Sequence, residues 1–403
     1  MQQFPLPNKS SSRRRLIAVV CFCFTLIPLV PLHLQAADVA ESSGLPESDA
    51  KNWHLLQPIW ASPIVYRESV LFIQDGTAAP NARLALNPRH IVQIARADGS
   101  QVFTADDYTV DAAAGRLTLT PKSRIPNLKA DETFPRKGSP RSIHSKAGDA
   151  SHDVLYDETG WFHDRQVEAT YEPVEAWSGY HPAVAKDSLP RTLRKLQHGE
   201  PLTIALSGDS ISTGDNASST TGKKPGMPGY PQLVADQLQS SFHSKITLAN
   251  RAVGGWRLEQ GLKDLSQLLE TKPDLVIIAY GMNHVRSHDP KAFKRMATEM
   301  IDRIHAADKN IEIILITPMY GNPGWKNTPP EQFPLHRDAL ASFAGPGIAL
   351  CDVTTLWGQL LERKRFTDLT GNGVNHPNDF GHRLYAQALL SLLLDLPLPV
   401  KQH

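Results

Sequence analysis

From residue 186 onward the chain keeps one rhythm. Apolar runs at 202–207, 245–250, 274–280, 311–317 and 348–353 alternate with stretches of helical apolar spacing at 229–241, 257–270, 290–307 and 331–343, and a last helical stretch covers 379–395. Continuous apolar runs of that length are strands buried on both faces. Strand–helix alternation of this kind demands a parallel sheet covered by helices on both sides. Ligands of such sheets bind beyond the carboxyl ends of the strands. The informative residues are therefore those that follow each strand.

The 403 residues exceed one ordinary domain, and the first half follows a different pattern. Short strands are predicted at 69–73, 90–94, 108–110, 116–120 and 166–171, with turns such as Asp98-Gly99-Ser100 between them. This spacing predicts a β-sandwich-like accessory domain over 53–185, ahead of an α/β domain over 186–403. A polar, partly basic stretch, 121–152, interrupts the strands; its mixture of acids and prolines reads as a solvated loop. Residues 38–52 read as a linker. Arg13, Arg14 and Arg15 precede an uncharged run from Leu16 to Leu34, followed by Ala36-Ala37, the pattern of a secretory signal peptide over 1–37. With that segment cleaved, Cys351 remains as the lone cysteine, so no intrachain disulfide is expected, nor any stable membrane insertion. Lys and Arg total 42 against 41 Asp and Glu, a balance that speaks against a nucleic-acid partner.

Four strand ends carry chemistry-bearing residues. The first strand runs into Gly208-Asp209-Ser210, and the second into Asn250 and then Gly254-Gly255-Trp256. The third is followed by Gly281-Met282-Asn283-His284, and the last by Asn372-Gly373-Val374-Asn375-His376-Pro377-Asn378-Asp379. Each alone is an ordinary turn. Together, in order and each after a strand, they resemble the four blocks of the SGNH (GDSL-like) hydrolase superfamily over about residues 200–395. The resemblance implies a flavodoxin-like three-layer α/β sandwich around a five-stranded parallel sheet. It implies Ser210 as nucleophile and His376 as general base. It places the oxyanion between the Ser210 N–H, the Gly255 N–H and the Asn283 side-chain amide.

The residue types fit that chemistry on their own terms. A hydroxyl needs a base within hydrogen-bond reach to act as a nucleophile at neutral pH. An imidazole titrates near neutrality and can return the proton to the leaving group. Fixed donors aimed at the developing oxyanion are worth about 2.7–4 kcal/mol each. Asp209 is expected to tie down the turn, and Asn378 or Asp379 to cap the last helix.

Two positions depart from the family pattern. Where the family carries an acid three residues before its histidine, this chain has Gly373. Asp368, eight residues before His376, and Asn372, four before, are the alternatives, as is a backbone carbonyl. His284 stands where the family usually has an Asp; it either braces the loop or binds substrate. A metal shared by His284 and His288 is disfavoured, and no cofactor is expected.

The predicted activity is hydrolysis of acyl esters, acetyl foremost, on an extracytoplasmic carbohydrate, with Trp256 and Trp325 as candidates for sugar stacking. The ester substrate is either a small molecule or a polysaccharide. The alternatives are a lysophospholipase or thioesterase-type short-acyl esterase, an O-acyltransferase, and a carbohydrate-binding protein of weakened activity. The sequence does not specify the oligomeric state.

Overall fold

The computed structural model describes residues 54–395. The predicted signal peptide, 1–37, and linker, 38–52, lie outside the described residues.

The parallel sheet consists of β1 (Leu202–Gly208), β2 (Ile246–Asn250), β3 (Leu275–Ala279), β4 (Glu312–Ile316) and β5 (Ile348–Cys351). Its strand order is β2-β1-β3-β4-β5, all parallel. That is the flavodoxin-like order, whose switch point lies between β1 and β3. Around it run α1 (Pro190–Gln197), α2 (Ser210–Thr213), α3 (Tyr230–Phe242), α4 (Leu258–Glu270), α5 (Pro290–Ala307), α6 (Gln332–Ala341), α7 (Val353–Leu361) and α8 (Asp379–Leu393).

Side-chain alternation along the strands sorts the helices into two layers. Ile204, Leu206, Leu275, Ile277, Ile314 and Ile316 face the cluster that holds α3, α7 and α8. Ala205, Val276, Ile278, Ile313 and Leu315 face the cluster that holds α4, α5 and the end of α6.

The preceding half is a strand-rich domain of antiparallel sheets. One has the order Val65–Val70, Val167–Pro173, Pro88–Ala95, Val102–Phe103. The other has the order Tyr108–Asp111, Arg116–Leu119, Asn81–Arg83, Phe72–Gln74, Asn127–Lys129, its last pair being parallel. The stretch expected as a solvated loop is folded back on itself. Ser142–Ile143 pairs with Val154–Leu155, and the chain beyond runs across the carboxyl end of the parallel sheet.

The apolar residues of this half share one buried cluster with α8. Helix α8 is buried along its whole length, as a helix between two layers must be. Its polar residues are satisfied from the strand-rich side: the Arg383 guanidinium donates to the carbonyls of Tyr66 and Arg67, and the Gln387 amide to those of Leu55 and Gln57.

Candidate active site

Strand β1 ends at Gly208, where the chain turns sharply into α2. A Cβ at Gly208 would lie 2.5 Å from Ser212 Oγ, so the turn closes only without a side chain there. Asp209 caps the helix, its carboxylate accepting from Ile211 N–H at 3.1 Å. Burial pushes its pKa up to about 7, against the opposing pull of that N–H and of the nearby His376. Asn250, at the end of β2, reaches across to donate to the Ser212 carbonyl at 2.8 Å. These contacts set Ser210 at the carboxyl end of the sheet, 5% exposed.

His376 comes to it from the other end of the domain. Its Nε2 lies 2.9 Å from Ser210 Oγ. The loop that carries it is shaped by Asn372, whose Oδ1 accepts from the N–H groups of Val374, Asn375 and His376. Asn372 thus orients the His376 backbone and not its ring. Asn378 caps α8 by accepting from Gly381 N–H, while Asp379 accepts from Ser218 N–H and ties the helix to the loop after Ser210.

The other face of the His376 ring meets Asn216, whose Oδ1 lies 2.7 Å from Nδ1. The Asn216 amide nitrogen faces Gly371 O at 3.5 Å, leaving the carbonyl oxygen toward the ring. A carbonyl only accepts, so Nδ1 carries the proton and Nε2 presents its lone pair to the Ser210 hydroxyl. Asn216 holds φ +63°, a left-handed conformation in which asparagine is enriched. It is buried, at 2% exposure. Its backbone carbonyl in turn accepts from His163 Nε2 at 2.9 Å.

A carboxylate also stands beside the ring, and it is not Asp368. Asp368 is buried elsewhere, accepting from the N–H groups of Leu71 at 2.7 Å and Arg365 at 2.9 Å, with Lys364 at 3.8 Å. It anchors the strand-rich half and does not reach His376, which corrects its candidacy as the acid. Glu158, from the strand-rich half, lies 3.5 Å from His376 Nδ1. Gly373 explains why its own loop supplies no acid. A Cβ there would lie 2.2 Å from the Leu155 carbonyl and 2.8 Å from the Phe162 ring, at φ +91°.

The donors expected for an oxyanion sit on two neighbouring loops. Asn283 is half-buried and donates to the Trp256 carbonyl at 3.0 Å, which links the loops after β2 and β3. Of the paired glycines, Gly254 is the one against Ser210: a Cβ on it would come within 3.9 Å of Ser210 Cβ. A Cβ on Gly255 would meet nothing within 4 Å. Trp256 is half-buried and packs against the cluster under α4.

His284 does not line the site. It is 1% exposed, tilts against Phe293 at 4.8 Å, and accepts from Leu258 N–H at 3.3 Å, bracing the start of α4. Burial drives its pKa down to about 4, so it is neutral and suited to accept. This corrects its candidacy as a substrate contact: a side chain sealed beneath a helix end meets no ligand. Among the described residues no group of three or more His, Cys, Asp or Glu side chains is arranged to hold a metal, and no helix is long and apolar enough to cross a membrane.

Asn216 and Glu158 carried no readable mark in the sequence. The first stands in a polar loop and the second in a strand-poor stretch 218 residues before the histidine. Nothing in their neighbours announces a partner so distant.

Residues 206–384 match the model of the GDSL-like Lipase/Acylhydrolase family. No curated protein matches the chain. Among solved structures, it is similar to a two-domain esterase active on acetylated mannans, at 20% identity and TM-score 0.41, covering 55% of this chain and 59% of that one. The chain thus spans under two thirds of that esterase's length. It is similar to an acetylxylan esterase from Geobacillus stearothermophilus, at 18% identity, 51% and 100% coverage and TM-score 0.41. It is also similar to a lipase from a goat rumen metagenome, at 17% identity, 47% and 97% coverage and TM-score 0.39. Residues 206–384, with their serine turn at the head of a 2-1-3-4-5 sheet, thus resemble a GDSL-like lipase/acylhydrolase domain.

Proposed function

We propose that the protein is an extracytoplasmic serine esterase that removes short acyl groups, acetyl foremost, from a carbohydrate. Ser210 attacks the ester carbonyl while His376 Nε2 takes its proton and passes it to the sugar hydroxyl that leaves as the ester bond breaks; water, deprotonated by the same imidazole, then releases the acyl group as a carboxylic acid, and the proton returns to Ser210 Oγ. The Ser210 N–H, the Gly254-Gly255 turn and the Asn283 amide surround the developing oxyanion. The observation that carries this reading is the 2.9 Å approach of Ser210 Oγ to a ring nitrogen whose partner, Nδ1, is held in the donor form by Asn216.

Two features favour a short acyl group on a large polar molecule. The cavity behind the nucleophile turn, lined by Asp209, Ile211, Ser212 and Met282, holds about 10 Å³. That is barely one water's worth, so a long acyl chain has no channel into the sheet there. A cleft of about 1060 Å³ is lined by His144, Lys146, Asp149, His152, Trp325 and Lys326, with no member of the Ser210–His376 pair in its wall. Its wall at Pro323 and Trp325 is joined to the His376 loop through the adjoining Asn322, which donates to the carbonyls of Val374 at 2.8 Å and Gly373 at 2.7 Å. A cleft of that size with charged side chains and an indole on its wall suits a glycan chain. The arginines and uncharged run ahead of Ala36 support export.

Acetate release from acetylated polysaccharides, compared with turnover of long-chain p-nitrophenyl esters, tests the proposal. Acetate release by the wild type and its loss in Ser210→Ala are expected. Faster turnover of the long chains would favour a lipid-type substrate and contradict the carbohydrate reading.

A further inference from the structure

We propose that Glu158, carried by the strand-rich half, is the positioning carboxylate of the Ser210–His376 pair, so that this half is part of the active centre. The inference rests on the esterase reading for its consequence but on independent contacts for its geometry.

Glu158 Oε2 lies 3.5 Å from His376 Nδ1. Its other oxygen, Oε1, accepts from the Tyr156 hydroxyl at 2.6 Å and from the Asn372 amide at 3.1 Å. The carboxylate is therefore held from both sides, once by its own segment and once by the histidine loop. The segment is itself fastened to the hydrolase domain: Asp157 N–H donates to the Asn372 carbonyl at 3.1 Å, and Lys223 pairs with Asp164 at 2.6 Å. Although partial burial works against ionisation, the attraction of the His376 ring and the bonds from Tyr156 and Asn372 prevail and hold its pKa down to about 2. Leu155 and Phe162 of the same segment fill the space that a side chain at position 373 would need. One segment both excludes an acid from the histidine's own loop and brings one from outside it.

The two groups at Nδ1 divide the work. Asn216 accepts the proton and sets the tautomer, which a neutral carbonyl does well. It adds no charge when His376 becomes imidazolium. A negative charge within about 4–6 Å favours the protonated ring by about 1–3 pKa units. The other charged or titratable groups around the ring are Asp209 beneath the nucleophile turn, Asp215 and His163 on the flanking loops, and His382 on α8. Asp209 is the other carboxylate coupled to the ring, and its own ionisation is opposed by burial.

The test is an NMR pH titration of the His376 ring, assigned with His376→Asn, in wild type, Glu158→Gln and Glu158→Asp, together with kcat and KM on an acyl ester. Glu158→Gln is expected to lower the ring's pKa by about 1 unit or more. It should lower kcat by about 10–100-fold with KM little changed, and Glu158→Asp should recover part of both. An unchanged ring pKa in a folded Glu158→Gln protein would overturn the proposal. Should that variant not fold, Tyr156→Phe, which frees the carboxylate from its anchor, carries the same titration, with a smaller shift expected and no shift being contrary. A wild type that hydrolyses no ester while its ring pKa still depends on Glu158 would refute the esterase reading and leave the carboxylate's placement standing.

Discussion

Asn216 is the residue on which the histidine's protonation state turns. The account predicts that Asn216→Gly, which keeps the left-handed backbone but removes the acceptor, lowers kcat by about 100-fold or more while Tm changes little; steady-state kinetics and thermal melts check this together. Asp209 makes a prediction of a different kind. Its carboxyl titrates at about 7 in the fold because it is buried, and near 3.9 in an unfolded chain. Between those values the folded protein holds a proton that the unfolded chain has lost, so this group's contribution to stability falls as pH rises from about 4 to about 7. Asp209→Asn is expected to flatten that part of the Tm–pH curve, and a curve of unchanged slope would show the carboxylate to be ionised in the fold. At this scale the sequence was legible where a residue's partner is its own turn. Ser210, Asp209 and His376 could be placed because each belongs to a short block at a strand end. Asp368 was misplaced because nearness in sequence is a poor guide on an irregular loop: its carboxylate turns away to the Leu71 and Arg365 N–H groups.

The elements were more readable than the contacts between them. The helices predicted at 257–270 and 290–307 are observed at Leu258–Glu270 and Pro290–Ala307, since Asp289 caps the second and its Pro290 can only begin a helix. Helix α7 escaped notice, because Val353–Leu361 follows β5 directly and continues its apolar run. The stretch 121–152 looked solvated by composition, yet it forms a hairpin whose continuation reaches the histidine. Its order comes from tertiary bonds, such as those of Asp153 with Gly138 N–H and Ser142, which leave no periodicity to read. The strand Val65–Val70 is locked to the residues after α7 by a buried ion pair of Glu68 with Lys364, both fully inaccessible. Breaking such a pair strands a charge, so Lys364→Met is predicted to cost about 3–5 kcal/mol in chemical denaturation, and the double change with Glu68→Leu to recover most of it. Additive losses in the double variant would mean that the pair is not coupled.

On the scale of the whole molecule, two halves with different sequence grammars share one apolar cluster, and the strand-rich half sets Glu158 beside His376. The parallel sheet brings the serine and histidine together from 166 residues apart, as strand-end presentation at a switch point allows. The strand-rich half was legible as strands but not as a contributor to the site, because a loop laid over another domain has no local signal. The central claim is that Ser210 is a nucleophile activated by His376. Its most direct measurement is intact-protein mass after reaction with a fluorophosphonate, followed over time and mapped by peptide sequencing. The account predicts one adduct, on Ser210, absent in Ser210→Ala and formed at least about 100-fold more slowly in His376→Ala; no adduct, or one on another residue, would contradict it.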